Sequence, residues 1–282
     1  MSLPGKRLEI GGVHYHVSDQ GEGERVVLLL HGMPDTSSLW RHQVPKLLGA
    51  GFRVIAPDML GYGKTEKPEA AERYAGDRVV ADLLTLIETL DLPRMDLVGH
   101  DWGAFASWEL VLRRPELFRR HVALSVGHPG ALFGELSTRS LKENWYMYLN
   151  GQEAAPDLYR LNGCEFLRKY VLSTHPEIEE VCARLEDPAA MRAMLNWDRG
   201  NPMASFYLAV LTGELEFPRC QVPTLGIWSS GDQYMWEEQM RRSAEWMEAE
   251  WRYERMENAS HWLTLDRPEE VGRLLLEWLA KG

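Results

Sequence analysis

Val26 to Leu30 is an unbroken apolar run closed by His31-Gly32, a pattern that predicts a strand buried on both faces of a parallel sheet. Similar strands are read at Phe52 to Ala56, Met95 to Val98, His121 to Val126, Thr224 to Trp228 and Trp251 to Met256, with helical periodicity between most of them. Val80, Leu83, Ile87 and Leu90 share one helical face ahead of Pro93. Val271, Leu274, Leu275, Trp278 and Leu279 do so near the C-terminus, after a start marked by Asp266, Pro268 and Glu269. Strands alternating with helices predict an α/β class: a doubly wound, mostly parallel sheet whose functional residues stand in loops after strand C-terminal ends. Between Pro129 and roughly Pro218 the alternation gives way to mostly helical patterning with Trp, Tyr and Met. An inserted helical cap is expected there. The expected organisation is a core segment over residues 1–129, a cap over 130–218 and a second core segment over 219–282.

Composition narrows the partners. The 282 residues are 45% hydrophobic and 10% aromatic, enough for one large core with an insertion. Against 42 acidic side chains stand 31 Lys and Arg, and the net charge of -11 disfavours nucleic acid or an anionic lipid surface as partner. A small neutral molecule suits this surface better. Cys164, Cys182 and Cys220 are widely spaced, form no Cys-x-x-Cys pair and are odd in number, so three free thiols are expected and no zinc site. Residues 1–12 lack the apolar stretch of a signal peptide, and no later run approaches a bilayer span, so the expectation is a soluble, cytoplasmic protein.

The chemistry-bearing segment is Leu97-Val98-Gly99-His100-Asp101-Trp102-Gly103-Ala104, read as a strand, a sharp turn and a helix beginning near Ala104. Glycines two residues either side of Asp101 let the backbone approach neighbouring elements closely and leave the central side chain standing above the sheet. A carboxylate would then be the nucleophile, although Asp is also an ordinary helix cap. Two downstream residues weigh against the simpler role, because this type of site orders its nucleophile, acid and histidine that way along the chain. Asp232 follows one strand in Ser229-Ser230-Gly231-Asp232, and His261 follows another in Asn258-Ala259-Ser260-His261. His31-Gly32-Met33-Pro34 closes the first buried strand, where one backbone N–H of an oxyanion hole is expected. Met33 would supply that donor and Trp102 the second.

Taken with Asp58-Met59-Leu60-Gly61-Tyr62-Gly63, these segments resemble the epoxide hydrolase branch of the α/β-hydrolase superfamily over nearly the whole chain. The resemblance implies the α/β-hydrolase fold, an Asp nucleophile served by a His–Asp pair, and cap tyrosines that hold the epoxide oxygen. Asn144-Trp145-Tyr146-Met147 resembles the family segment that opens the cap, which makes Tyr146 the expected oxygen ligand and Tyr148 its possible substitute. His31, Pro34 and Asp198 join Tyr148 as expected substrate-binding positions. No metal or organic cofactor is implied, and the implied partner is a small apolar epoxide.

The sequence departs from the family at Asn196-Trp197-Asp198-Arg199, where Asp198 stands in place of a second tyrosine. An ionised carboxylate only accepts hydrogen bonds, so Asp198 would assist a leaving oxygen only if burial kept it protonated. The ordinary alternative is an ion pair with Arg199 or Arg192. Two other functions remain open at this level. Haloalkane dehalogenases use the same Asp and His machinery, but those resembling this fold commonly place Asn, with its side-chain N–H, where Met33 stands. A catalytically weak protein that only binds an apolar ligand is the other.

Overall fold

The computed structural model describes residues 2–134 and 138–281. Eight strands form one sheet: β1 Lys6–Ile10, β2 Val13–Gln20, β3 Arg25–Leu30, β4 Phe52–Pro57, β5 Met95–His100, β6 Phe118–Leu124, β7 Thr224–Ser229 and β8 Trp251–Met256. Their order is β1-β2-β4-β3-β5-β6-β7-β8. Pairing is parallel from β4 through β3 to β8, and antiparallel where β2 meets β1 and β4. Every residue of β5 and β7 is buried, as expected of central strands covered on both faces by helices.

Six of these strands are legible in the sequence, and the structure adds β1 and β2. In β1 only Ile10 is fully buried, and β2 carries His16, Ser18 and Asp19 among its apolar residues. Hydrogen bonds make those polar positions compatible with the sheet: His16 Nε2 contacts the Leu3 carbonyl at 2.8 Å, and Arg53 binds Asp19 through two nitrogens at 2.9 and 3.0 Å. The β6 strand ends at Leu124 instead of Val126, because Ser125 turns to φ 70°.

The periodic segments fold as helices Gly76–Thr89 and Pro268–Leu279, each burying its apolar face. Between β6 and β7 the chain leaves the sheet. It forms helices Pro129–Phe133, Thr138–Glu143, Trp145–Asn150, Ala155–Arg160, Ile178–Leu185, Pro188–Gly200 and Met203–Leu211, with a π-helical turn at Leu167–Val171. Helix Pro188–Gly200 fastens this insert to the core. Its Trp197 is buried, stacks on Tyr62 at 6.0 Å and donates its indole N–H to the Leu60 carbonyl at 3.0 Å. Cys164, Cys182 and Cys220 are buried free thiols. Among the described residues no helix is long and apolar enough to cross a membrane.

Candidate active site

The β5 strand stops at His100, and helix Trp102–Arg113 starts two residues later. Asp101 joins them at φ 55° and ψ -125°, a conformation L side chains rarely adopt and one that costs about 1–3 kcal/mol. The flanking sequence permits it. A Cβ on Gly99 would stand 2.4 Å from the Gly103 carbonyl oxygen, and one on Gly103 would stand 2.2 Å from that of Leu30. Gly32 is equally constrained, since its Cβ would meet Asp101 Oδ1 at 2.1 Å. These close approaches deliver the Asp101 carboxylate to the end of the loop that follows β3.

There the Met33 N–H donates to Asp101 Oδ1 at 2.7 Å, and the Trp102 N–H is a second backbone partner of the same carboxylate. Its other oxygen, Oδ2, faces His261 Nε2 at 3.4 Å. On the far side of the imidazole, Nδ1 donates to Asp232 Oδ2 at 2.8 Å. The remaining oxygen of Asp232 accepts the backbone N–H groups of Tyr234 and Met235 at 2.9 and 3.0 Å, which fixes the carboxylate at the end of β7. His261 is oriented by its second nitrogen, leaving Nε2 directed at Asp101.

Burial raises the Asp101 carboxyl, but the hydrogen bond and charge of His261 outweigh it and hold the group below the ordinary carboxylate value. Burial likewise lowers His261, and the charges of Asp232 and Asp101 overcome this to raise it to about 10. The resting arrangement is therefore an imidazolium between two carboxylates. Loss of charge on Asp101 would remove one of the two influences that hold the proton on His261.

Asp101 and Trp102 open onto an apolar cavity walled by Phe105, Leu132, Phe133, Phe206 and Met235. Tyr146, from helix Trp145–Asn150 of the insert, lines the same cavity. Its phenol is buried, packs edge-on against Tyr234 at 5.6 Å and is held well above its usual pKa by burial and then by the nearby Asp198 and Asp101. It is a hydrogen-bond donor that does not ionise near neutral pH.

Residues 25–268 match the model of the α/β-hydrolase fold family. The chain is 31% identical to epoxide hydrolase A of Mycobacterium tuberculosis over 318 aligned positions, covering 99% of this chain and 98% of that protein. The chain belongs to the epoxide hydrolases of the α/β-hydrolase superfamily. Solved structures agree: the epoxide hydrolase of Bacillus megaterium in complex with an inhibitor superimposes with a TM-score of 0.84 at 27% identity, covering 98% of this chain and 100% of that one. An epoxide hydrolase of Vigna radiata does so at 0.83 and 26%, covering 98% of each chain.

Within this hydrolase three expected substrate-binding positions, His31, Pro34 and Tyr148, stand elsewhere than against the cavity, while Asp198 is buried near enough to Tyr146 and Asp101 for their charges to act on one another. His31 is fully buried, with Nδ1 on the Gly32 carbonyl at 2.9 Å and Nε2 accepting the Met59 N–H at 2.9 Å, so it props the Met33 loop from beneath. Pro34 turns its carbonyl to Arg184 of the insert at 3.3 Å. Tyr148 is 38% exposed and lies outside the cavity wall, because two residues of helix rotate it away from the face that carries Tyr146. Asp198 forms no ion pair with either arginine. Arg199 is spent on the Asn150 and Gln152 carbonyls at 3.0 Å each, and Arg192 pairs with Glu69 at 3.4 Å.

Two residues beside the triad escaped the sequence reading. Tyr234 packs against both His261, at 5.0 Å, and Tyr146, and donates its hydroxyl to the Val171 carbonyl at 2.6 Å. Its position two residues after Asp232 was the available signal. His100 lies 4.8 Å from the His261 ring and contacts the His261 carbonyl through Nε2 at 3.0 Å. Among the described residues no cluster of three or more His, Cys, Asp and Glu side chains has the arrangement of a metal site.

Proposed function

We propose that the protein hydrolyses a small apolar epoxide to a vicinal diol through an alkyl ester on Asp101, and that the insert over residues 130–218 is the lid enclosing the substrate. The observation that carries this is the division of labour on one carboxylate: Oδ1 is held by the Met33 amide at 2.7 Å, while Oδ2 is left as the attacking oxygen. In the first step Oδ2 bonds to a ring carbon, the C–O bond breaks with its electron pair on oxygen, and the Tyr146 hydroxyl donates to that oxygen. Ring strain makes the carbon electrophilic, and the phenol's high pKa keeps its proton available.

Esterification removes the Asp101 charge, so His261 is released from one of the carboxylates that favour its protonated form and yields its proton through solvent, which balances the proton taken up by the oxygen of the opened ring. Oriented by Asp232, the neutral imidazole takes a proton from water as the hydroxide adds to the ester carbonyl. The Met33 and Trp102 amides already sit where the resulting oxyanion develops, so no reorganisation is needed at that point. Collapse restores the Asp101 carboxylate and frees the diol. The proton that His261 yields and the two that water brings supply the hydroxyl of the opened ring, the second hydroxyl of the diol and the restored imidazolium.

The test is an assay of purified protein against aryl and aliphatic epoxides beside chloro- and bromoalkanes, scoring diol and halide separately, with Asp101→Asn as control. Diol formation that falls by about 10⁴-fold in the variant is expected, since the nucleophile is lost. Halide release without diol would transfer the site to dehalogenation, and diol formation unchanged by the substitution would remove Asp101 from the reaction.

A further inference from the structure

Asp198 is 4% exposed, yet among the described residues no cation pairs with it. It stands on helix Pro188–Gly200 directly after Trp197, whose ring lies 5.5 Å from that of Trp102 beside the nucleophile. Its Oδ2 accepts the Asn150 side-chain N–H at 2.5 Å, and Asn150 in turn accepts the Tyr159 hydroxyl. Asn150 and Tyr146 are four residues apart on one helix, so they project from the same face and Asn150 brings Asp198 alongside the cavity tyrosine. Oδ1, by contrast, is sealed from solvent and has no hydrogen-bond partner among the described residues.

A buried carboxylate with an unmet oxygen is costly, whereas a carboxylic acid accepting at Oδ2 and carrying its proton on Oδ1 satisfies the first oxygen and holds a donor in reserve on the second. Resting on the ester chemistry above, we propose that Asp198 works as a neutral acid, its Oδ1 hydroxyl joining Tyr146 to protonate the oxygen released from the ring. It would do so in place of a phenol, by giving up its proton outright. Ring opening then consumes the carboxylate of Asp101 and the acid of Asp198 and yields ester, alcohol and the Asp198 carboxylate. The proton that His261 yields as the ester forms restores the acid, and the proton that His261 then takes from water restores the imidazolium before the next turnover.

The electrostatics agree with this role. Burial, and secondarily the charge of Asp101, push Asp198 up to about 8 against the opposing Asn150 hydrogen bond. The other titratable groups that sense it are the phenols of Tyr62, Tyr146 and Tyr159, all held above their usual range and so neutral. An acid of this kind is protonated below its folded pKa and lost as a donor above it.

The experiment measures formation of the Asp101 ester against pH by mass spectrometry, in a His261→Gln background where the ester persists and His261 contributes no ionisation. An aryl epoxide is the probe. Three proteins are compared: this parent, and the parent with Asp198→Asn or Asp198→Leu, each checked for an unchanged melting profile. The parent is expected to lose rate as pH rises through about 8. Asp198→Asn, whose amide can donate but not ionise, is expected to be slower by about tenfold near neutrality and to lose that descending limb, and Asp198→Leu to be slower still. A merely structural role would lower the rate evenly and leave the limb in place. The limb persisting in Asp198→Asn, or Asp198→Leu forming ester within about twofold of the parent, overturns the inference while leaving the ester mechanism standing. No ester on Asp101 in the parent would bring down both.

Discussion

At the scale of single residues, the chemistry depends on side chains whose roles follow from what each is denied. Asp101 keeps its charge although buried, because His261 and two backbone amides face it. Tyr146 is denied ionisation, which is what a donor to an opening ring requires. Tyr146→Phe keeps the ring packing against Tyr234 and deletes only the hydroxyl. It is expected to slow ring opening by roughly 10- to 1,000-fold, within the range for removing one transition-state donor, with the lower end applying if Asp198 compensates. Rapid-quench measurement of ester formation checks this, and a rate within twofold of wild type would take the phenol out of the site. Asp101, Asp232 and His261 were legible in the sequence because each follows a recognisable strand and Asp101 sits between glycines with a steric reason to be there. The surroundings of Asp198 were not legible. Its hydrogen-bond partner lies 48 positions away, and of the two arginines that were the obvious partners by sequence, Arg199 points to backbone carbonyls and Arg192 to Glu69.

At the scale of elements, the site is held by loops after β3, β4, β5, β7 and β8, and the loop after β4 shows how they are tied. Asp58 is fully buried and accepts the Ser37 N–H at 2.8 Å, the Lys64 N–H at 2.9 Å and the Ser2 hydroxyl. Beside it the Met59 N–H reaches His31, which supports the strand end carrying Met33. Gly61, at φ 81°, passes so close to the insert that a Cβ would stand 2.8 Å from that of Ala193. The segment Asp58 to Gly63 is thus a girder between two site loops and the insert, a role that its motif alone did not disclose. Asp58→Ala leaves buried N–H groups without an acceptor and is expected to cost about 2–4 kcal/mol, read from the denaturation midpoint at unchanged slope. A loss under about 1 kcal/mol would show that the girder is dispensable. The same scale explains the two missed strands. Six strands are legible, five of them as mostly apolar runs, while β1 and β2 interleave polar residues that the sheet accepts only because distant partners bond to them.

At the scale of the whole molecule, a buried acid such as Asp198 ties function to folding. Its folded pKa, about 8, lies above the ordinary carboxyl value of 3.8 that an unfolded chain would show. Below the lower value both states are protonated and no penalty arises. As pH rises the unfolded chain ionises first, so stability contributed by the protonated native form is lost progressively until about pH 8 is passed. Asp198→Asn removes this dependence, and its melting temperature is expected to gain on wild type between pH 4 and 8, by the equivalent of a few kcal/mol at the upper end. Parallel melting curves across that window would show that Asp198 is ionised in the native protein.

The account as a whole stands on a carboxylate oxygen of Asp101 becoming bonded to the substrate. A single turnover with enzyme in excess, run in heavy-oxygen water, reads this directly. The expected result is a diol carrying only light oxygen, because its new oxygen comes from Asp101, together with one heavy oxygen in the peptide that contains Asp101. Heavy oxygen in the diol of that first turnover, with an unlabelled peptide, would mean that water attacks the ring itself and would contradict the ester mechanism.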